Sequence, residues 1–254
     1  LKYLKEGRMV LFSGTGCQIA GLLSFLKDRT YKGNLVTVDL ICGGIPSRIL
    51  IDKFISQAPY RVKRVLSFRT KETGWKSRGF HYNLKVEDEN GKIYDYANKN
   101  NLITTGFSLE LTNRYSCYDC PFVGKNRKSD FTIGDYWGCI KYEEEHFDGI
   151  SLIIVHTDKA RQFLSSLDDS LFYDKADMNL AISHNHRLVT GHSIQQYFLE
   201  RKLLAFFSSQ LSDSTFSKIY ANTFSNKSPW MLLKVIRKIS EIVIKIIDKM
   251  VHKQ

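Results

Sequence analysis

Five cysteines hold most of the reactive chemistry in this sequence: Cys17, Cys42, Cys117, Cys120 and Cys139. Cys117 and Cys120 form a Cys-x-x-Cys pair in "SCYDCPF", where one tight loop can present two sulfur atoms to one centre. Cys17 lies in "GTGCQ" and Cys42 in "ICGG", each just past an apolar run and each flanked by glycine (Gly14 and Gly16, Gly43 and Gly44). The thiolate is the sulfur form that ligates metal. The loop pair and the two glycine-flanked thiols make four, the number that suits a [4Fe–4S] cluster or a structural Zn²⁺. Zinc sites usually pair two short-spaced knuckles. Here 24 residues stand between Cys17 and Cys42 and 74 between Cys42 and Cys117, a spacing that leans toward a cluster and leaves zinc open. The opposing reading is of free cysteines packed as small apolar side chains. Cys139, which follows Gly138, is the expected spare.

The elements that must position these thiols follow from hydrophobic periodicity. "MVLFS" (residues 9–13) reads as a short buried strand, "GTGCQ" breaks it, and "IAGLLSFLKD" carries apolar residues at helical spacing. "NLVTVDLIC", "GGIPS" and "RILIDKFISQ" repeat the strand, turn and helix, with Pro46 near the helix start. Two such units in succession imply parallel strands joined by right-handed crossovers. Cys17 and Cys42 then occupy matching places at the ends of neighbouring strands about 4.8 Å apart, facing the crevice where open parallel sheets bind ligands. Each is expected near a helix N-terminus, whose dipoles favour a thiolate.

Residues 62–69 read as a further strand, and "FHYNLKVEDENGKIYDYA" as a hairpin turning at Asn90-Gly91. Residues 131–137 and 150–156 read as strands and "DKARQFLSSL" as a helix, and beyond about residue 170 the pattern turns helical. The fold class is α/β, mixed with α+β: parallel-strand βα units, an inserted β-hairpin and a helical C-terminal region. The expected organisation is a principal domain over 1–170, a helical part of the same domain over 171–228, and a basic amphipathic helix over 229–254. That last stretch begins at Pro229, with Leu232, Val235, Ile236, Ile239, Ile242, Val243, Ile246 and Met250 on one face and lysines on much of the rest. It reads as a helix packed on the body or on a partner, with an interfacial helix on anionic lipid as the alternative.

Composition narrows the function class. At 254 residues and 43% apolar the chain can bury a substantial core, and 13% aromatics argue against disorder. A net charge of +11 points to an anionic partner. No nucleic-acid-binding motif accompanies that charge, so nucleic acid is not expected. An odd cysteine count with no signal-peptide pattern argues against a disulfide framework, and cytoplasmic, reduced thiols are expected. The chain opens on Leu1 with a strand within ten residues, so a further N-terminal part is expected upstream. "GTGCQIAG" is not a dinucleotide fingerprint, because Ile19 stands where the third glycine belongs. His184 and His186 lack neighbouring ligands in sequence and read as loop or surface residues.

Taken in order, "VLFSGTGCQIAGLLSFL", "VDLICGGIPS", "GWKSRGF", "SCYDCPF" and "RKSDFTIGDYWG" resemble the coenzyme F420 hydrogenase/dehydrogenase beta subunit family over roughly residues 8 to 160. The resemblance implies an iron–sulfur flavoprotein that holds FAD and a [4Fe–4S] cluster and passes electrons between a one-electron, ferredoxin-like carrier and a deazaflavin or other small organic acceptor. Carried over by motif, the metal ligands are Cys17, Cys42, Cys117 and Cys120. Thr15 of the same block as Cys17 is expected among the cofactor contacts, Arg127 or Lys128 toward the flavin phosphates, and Asp135 and Trp137 near its rings. The "GDYWG" stretch also reads as a plain core turn. Gly16 stands where the family usually has proline and Gly43 where histidine is common, which removes a proton donor. Relatives also occur beside polysaccharide-synthesis enzymes, where work at the inner face of the membrane would suit the C-terminal helix. The alternative function is a non-catalytic accessory protein of glycan assembly with a structural cluster or zinc.

Overall fold

The run "LVTVDL" is rich in β-branched residues and is buried on both faces, Leu35, Thr37 and Asp39 on one and Val36 on the other, the burial of a strand covered from two sides, and the first unit is built around it. The computed structural model describes residues 1–26, 33–56, 58, 60–68, 74–75, 84–96, 102–108, 110–124, 127–142, 144, 147–167 and 170–189. In chain order the elements are α1 (Lys2–Lys5), β1 (Val10–Gly14), α2 (Gly16–Phe25), β2 (Leu35–Leu40), α3 (Arg48–Ser56), β3 (Val62–Phe68), β4 (Leu84–Asp88), β5 (Ile93–Tyr96), α4 (Leu102–Ser108) and α5 (Tyr115–Tyr118). They continue with β6 (Phe131–Asp135), β7 (Ser151–Val155), α6 (Asp158–Ser165), α7 (Met178–His184) and a 3-10 turn, His186–Leu188. The chain divides into two units. One comprises Leu1–Gly43 and Asp119–His192; the other comprises Gly44–Tyr118 and Ser193–Gln254, and its described residues all lie in the first of those stretches. The expected C-terminal amphipathic helix over 229–254 and the helical stretch before it lie outside the described residues.

In the first unit four strands run in the order β1-β2-β6-β7. β1 pairs parallel with β2, from Val10↔Leu35 to Gly14↔Asp39. β2 pairs parallel with β6, placing Asp39 beside Thr132, and β7 closes the sheet antiparallel. Successive residues of β2 face opposite ways. Leu35 packs with Leu4 and Leu26 on one side, and Val36 packs with Phe131 and Ala160 of α6 on the other. Burying one such side chain contributes about 1.5–3 kcal/mol. A third cluster gathers Tyr136, Cys139 and Leu152 with Ala181 and Leu188, the last two from α7 and the 3-10 turn.

Local signals set the helix starts. Thr15 is the N-cap of α2 and shares a capping box with Gln18. Thr157 caps α6 by accepting from the Ala160 N–H at 3.1 Å, and Asp177 caps α7 by accepting from the Asn179 N–H at 2.8 Å. The strand expected over 131–137 ends at Asp135, one residue before Tyr136, whose N–H still donates to the Ile150 carbonyl at 2.8 Å and whose hydroxyl accepts from the Asp177 N–H at 2.9 Å.

The second unit is an antiparallel sheet in the order β3-β4-β5, turning through Gly91 at φ 82°. Its core is Leu84, Val86 and Ile103 of α4, with Ile51 of α3 packed against them. Trp75, from "GWKSRGF", is fully buried. The remainder of that block, 76–80, lies outside the described residues.

Candidate functional site

The candidate site is at the carboxyl end of β1 and β2. Gly14 and Asp39 are register partners, so Cys17 and Cys42, each three residues further on, are equivalent in the sheet. The helices that follow are not equivalent. Cys17 is the second residue of α2, within its first turn, with its sulfur exposed and 3.0 Å from the Thr15 hydroxyl. Cys42 is followed by five residues before α3 begins at Arg48. The expectation of a helix N-terminus at each thiol therefore holds for Cys17 alone. The "GGIPS" segment spends its residues on pairing with Asn113 through a bridge at Pro46 instead of starting the helix.

Gly16 brings a third thiol-bearing segment to this corner. A Cβ there would stand 3.1 Å from both the Cβ and the carbonyl oxygen of Phe122, and 3.5 Å from Asp39 Oδ2. The chain two residues past Cys120 is thus pressed on the first turn of α2, which glycine alone permits without a shift. Beside it, Ile41 donates to the Ile133 carbonyl at 2.9 Å and its side chain covers Gly134, where a Cβ would come within 2.5 Å of Ile41 Cδ1. Cys42 leaves the sheet from this clamped residue. Cys42 and Cys120 are half-buried, Cys117 is half-buried on α5 in the other unit, and Cys139 is buried in the core. Among the described residues, no three Cys, His, Asp or Glu side chains gather as a ready metal-binding group.

A buried ion pair underlies the corner. Arg127 Nη1 donates to Asp39 Oδ2 at 2.9 Å and to the Leu40 carbonyl at 3.1 Å, and both side chains are 2% exposed. The Arg127 Nε–H and Nη2–H are buried with no partner among the described residues. Orphaned donors of this kind are costly and rare in folded proteins. On its other oxygen Asp39 accepts from the Thr132 hydroxyl at 2.5 Å. Having given its proton to Asp39, that hydroxyl must accept from His156 Nε2, 2.7 Å away, which fixes the neutral imidazole with hydrogen on Nε2. Burial, the largest influence, keeps His156 below its ordinary 6.5, against the pull of Asp39 and with the push of Arg127.

The remaining expected cofactor contacts are dispersed. Thr15 spends its hydroxyl on the Cys17 sulfur and the Gln18 amide oxygen. Lys128 is exposed and Trp137 half-buried. Asp135 offers its carbonyl to the Asn185 amide at 3.0 Å, and Gly138 lies under the ring of His184. The "GDYWG" stretch is accordingly the seat of α7. Sequence reasoning missed Asp39, Thr132 and His156. Their only sequence signals were polar residues inside strands 2 and 6 that otherwise read as buried, and a histidine at the end of strand 7.

Residues 7–179 match the family model that describes the C terminus of the beta subunit of coenzyme F420 hydrogenase/dehydrogenase. This chain belongs to that family. Membership in the coenzyme F420 hydrogenase/dehydrogenase beta subunit family places the chain among oxidoreductase subunits and agrees with the resemblance carried by its five motifs. A solved structure of the F420-reducing [NiFe] hydrogenase complex from Methanosarcina barkeri, studied by xenon derivatization, is similar at 17% identity with a TM-score of 0.40; the match covers 88% of this chain and 64% of that one. No curated protein matches the chain. Among the described residues no helix is long and apolar enough to cross a membrane.

Proposed function

We propose that this beta-subunit-like chain is an iron–sulfur flavoprotein oxidoreductase in which Cys17, Cys42, Cys117 and Cys120 ligate a [4Fe–4S] cluster next to FAD. The observation that carries the reading is the meeting at Gly16 of the Cys17, Cys42 and Cys120 segments over a buried guanidinium with two unpaired N–H groups. Such donors fit an anionic, sulfur-rich guest. Protonated thiols have no reason to gather unaided, and it is the binding energy of the metal that draws a ligand set together.

When bound, the cluster supplies one-electron transfer and FAD converts it to two-electron chemistry. The chain's own part is to hold and shield. α2 presents Cys17 from its first turn. Phe122 and Ile41 close the sheet side against water. Lys128, exposed, is the cation proposed for the flavin phosphates, with Asp135 and Trp137 toward its rings. The net charge of +11 suits an acidic ferredoxin-like donor. A small organic acceptor, cytoplasmic work with peripheral membrane contact, and a place beside polysaccharide synthesis complete the proposal.

Anaerobic purification with iron, sulfide and flavin counted tests it. A brown protein with four irons, four sulfides and flavin bands is expected, and Cys17→Ala should lose most of the iron. A colourless protein holding zinc would overturn the redox reading in favour of a structural metal in an accessory protein. Unchanged iron in Cys17→Ala would overturn the ligand assignment.

A further inference from the structure

Arg127 keeps hydrogen-bonding capacity that the described residues do not meet. Its guanidinium is almost wholly buried, tied through one nitrogen to Asp39 and to the Leu40 carbonyl, and left with two N–H groups that meet no acceptor among the described residues. The tether fixes where it stands. Leu40 is two residues from Cys42, and Asp39 Oδ2 lies 3.5 Å from the Cβ position of Gly16, the neighbour of Cys17. The same position touches Phe122, two residues from Cys120. The orphaned donors thus stand among the backbones of three thiol-bearing segments. A flavin phosphate in a solvent-facing groove would ask for an exposed cation such as Lys128; a donor this deep suits a guest enclosed by the same segments.

We infer that Arg127 is a positioning and tuning residue for the cluster, its Nε–H and Nη2–H donating to cluster sulfur or cysteine thiolate. This rests on the proposed [4Fe–4S] reading. Hydrogen bonds to the sulfurs and net charge are among the levers that set a cluster's reduction potential. N–H···S bonds withdraw negative charge from the reduced cluster, stabilise it and raise the potential. Asp39 cancels the arginine's formal charge, so the donors, not a bare cation, provide the stabilisation. Asp39 is itself held by Thr132 and, through it, by His156, so the guanidinium has a fixed anchor.

The test is a spectroelectrochemical titration of the full-length, anaerobically purified protein, with iron, sulfide and flavin counted on each sample. Arg127→Lys keeps the charge and cannot supply the planar pair of donors. Arg127→Met with Asp39→Asn removes both charges together, which spares the fold an unpaired buried carboxylate. Both should keep four irons and wild-type flavin content while the cluster's midpoint potential moves to a more negative value. Wild-type potentials in both variants would overturn the inference and leave the cluster reading standing. Lost flavin at an unchanged potential would return Arg127 to the flavin phosphates and also overturn it. Lost iron in both variants, with wild-type far-ultraviolet circular dichroism, would show that Arg127 holds the guest rather than tunes it. Absence of iron and sulfide from the wild type would instead sink the underlying reading.

Discussion

Two buried carboxylates in the first unit, Asp39 and Asp130, sit 1% and 5% exposed beside the same pair of strands, and their surroundings differ. Asp130 is fully occupied by groups that hold the fold. Its Oδ2 accepts from the Thr37 N–H at 2.8 Å and hydroxyl at 2.9 Å and pairs with Lys159 at 3.0 Å; its Oδ1 accepts from Thr157 at 2.8 Å. These contacts join β2 to the start of β6 and to the cap of α6. The cation of Asp39, Arg127, is 2% exposed where Lys159 is 36% exposed, and it keeps two N–H groups that meet no acceptor among the described residues. A carboxylate that closes every bond around it is architecture. One whose partner is left short of acceptors among the described residues, at the carboxyl end of a parallel sheet, is where the proposed guest would be met.

The sharpest way to break this contrast is to remove one charge from each pair. Arg127→Met leaves the Asp39 carboxyl group buried without its cation and should cost about 4 kcal/mol in urea unfolding. Adding Asp39→Asn should return most of it, because the asparagine still accepts from Thr132 and no charge remains. Asp130→Asn should cost about 2–3 kcal/mol by the same measurement. Adding Lys159→Met should not restore it, because the Thr37 backbone donor cannot be mutated away. Equal rescue in both pairs would erase the distinction.

Acid titration sharpens it further. Burial opposes ionisation of Asp130, but the Thr37 N–H, the Thr157 hydroxyl, the Lys159 ammonium and the Thr37 hydroxyl outweigh it and hold the carboxyl below its ordinary 3.8. Its folded value is depressed, so its contribution is present above pH 3.8 and is lost as pH falls through the folded value. His156 titrates higher. With its folded value below 6.5, the unfolded chain binds the proton first, so stability declines as pH falls from 6.5 toward the depressed value. Denaturant midpoints from pH 8 to 3 should show both stages. His156→Gln, which can still donate to Thr132, should remove the upper stage, and Asp130→Asn the lower. The smallest effect belongs to the cap: Thr15→Ala should cost about 1 kcal/mol, while Thr15→Ser stays close to wild type.

Much of this was legible along the chain. The apolar runs at 9–13 and 35–42, the Asn90-Gly91 turn and the Thr-x-x-Gln start of α2 are local patterns, and each became the element its spacing implies, because a strand's alternation and a helix cap are decided by residues a few positions apart. The five ordered motifs were enough to name the family. The equivalence of Cys17 and Cys42 in the sheet was legible for the same reason, whereas the late start of α3 was not, since a bridge to distant Asn113 sets it.

The sequence by itself therefore determined the strands, the caps, the family and the four thiols with metal-binding potential. Only the tertiary structure decided that Arg127 lies against Asp39, 88 residues earlier in the chain, that Thr132 and His156 stand behind that pair, and that Phe122 presses on Gly16. A buried charge takes whichever partner folding brings within about 3 Å, and nothing in the local pattern around Arg127 records which carboxylate that will be.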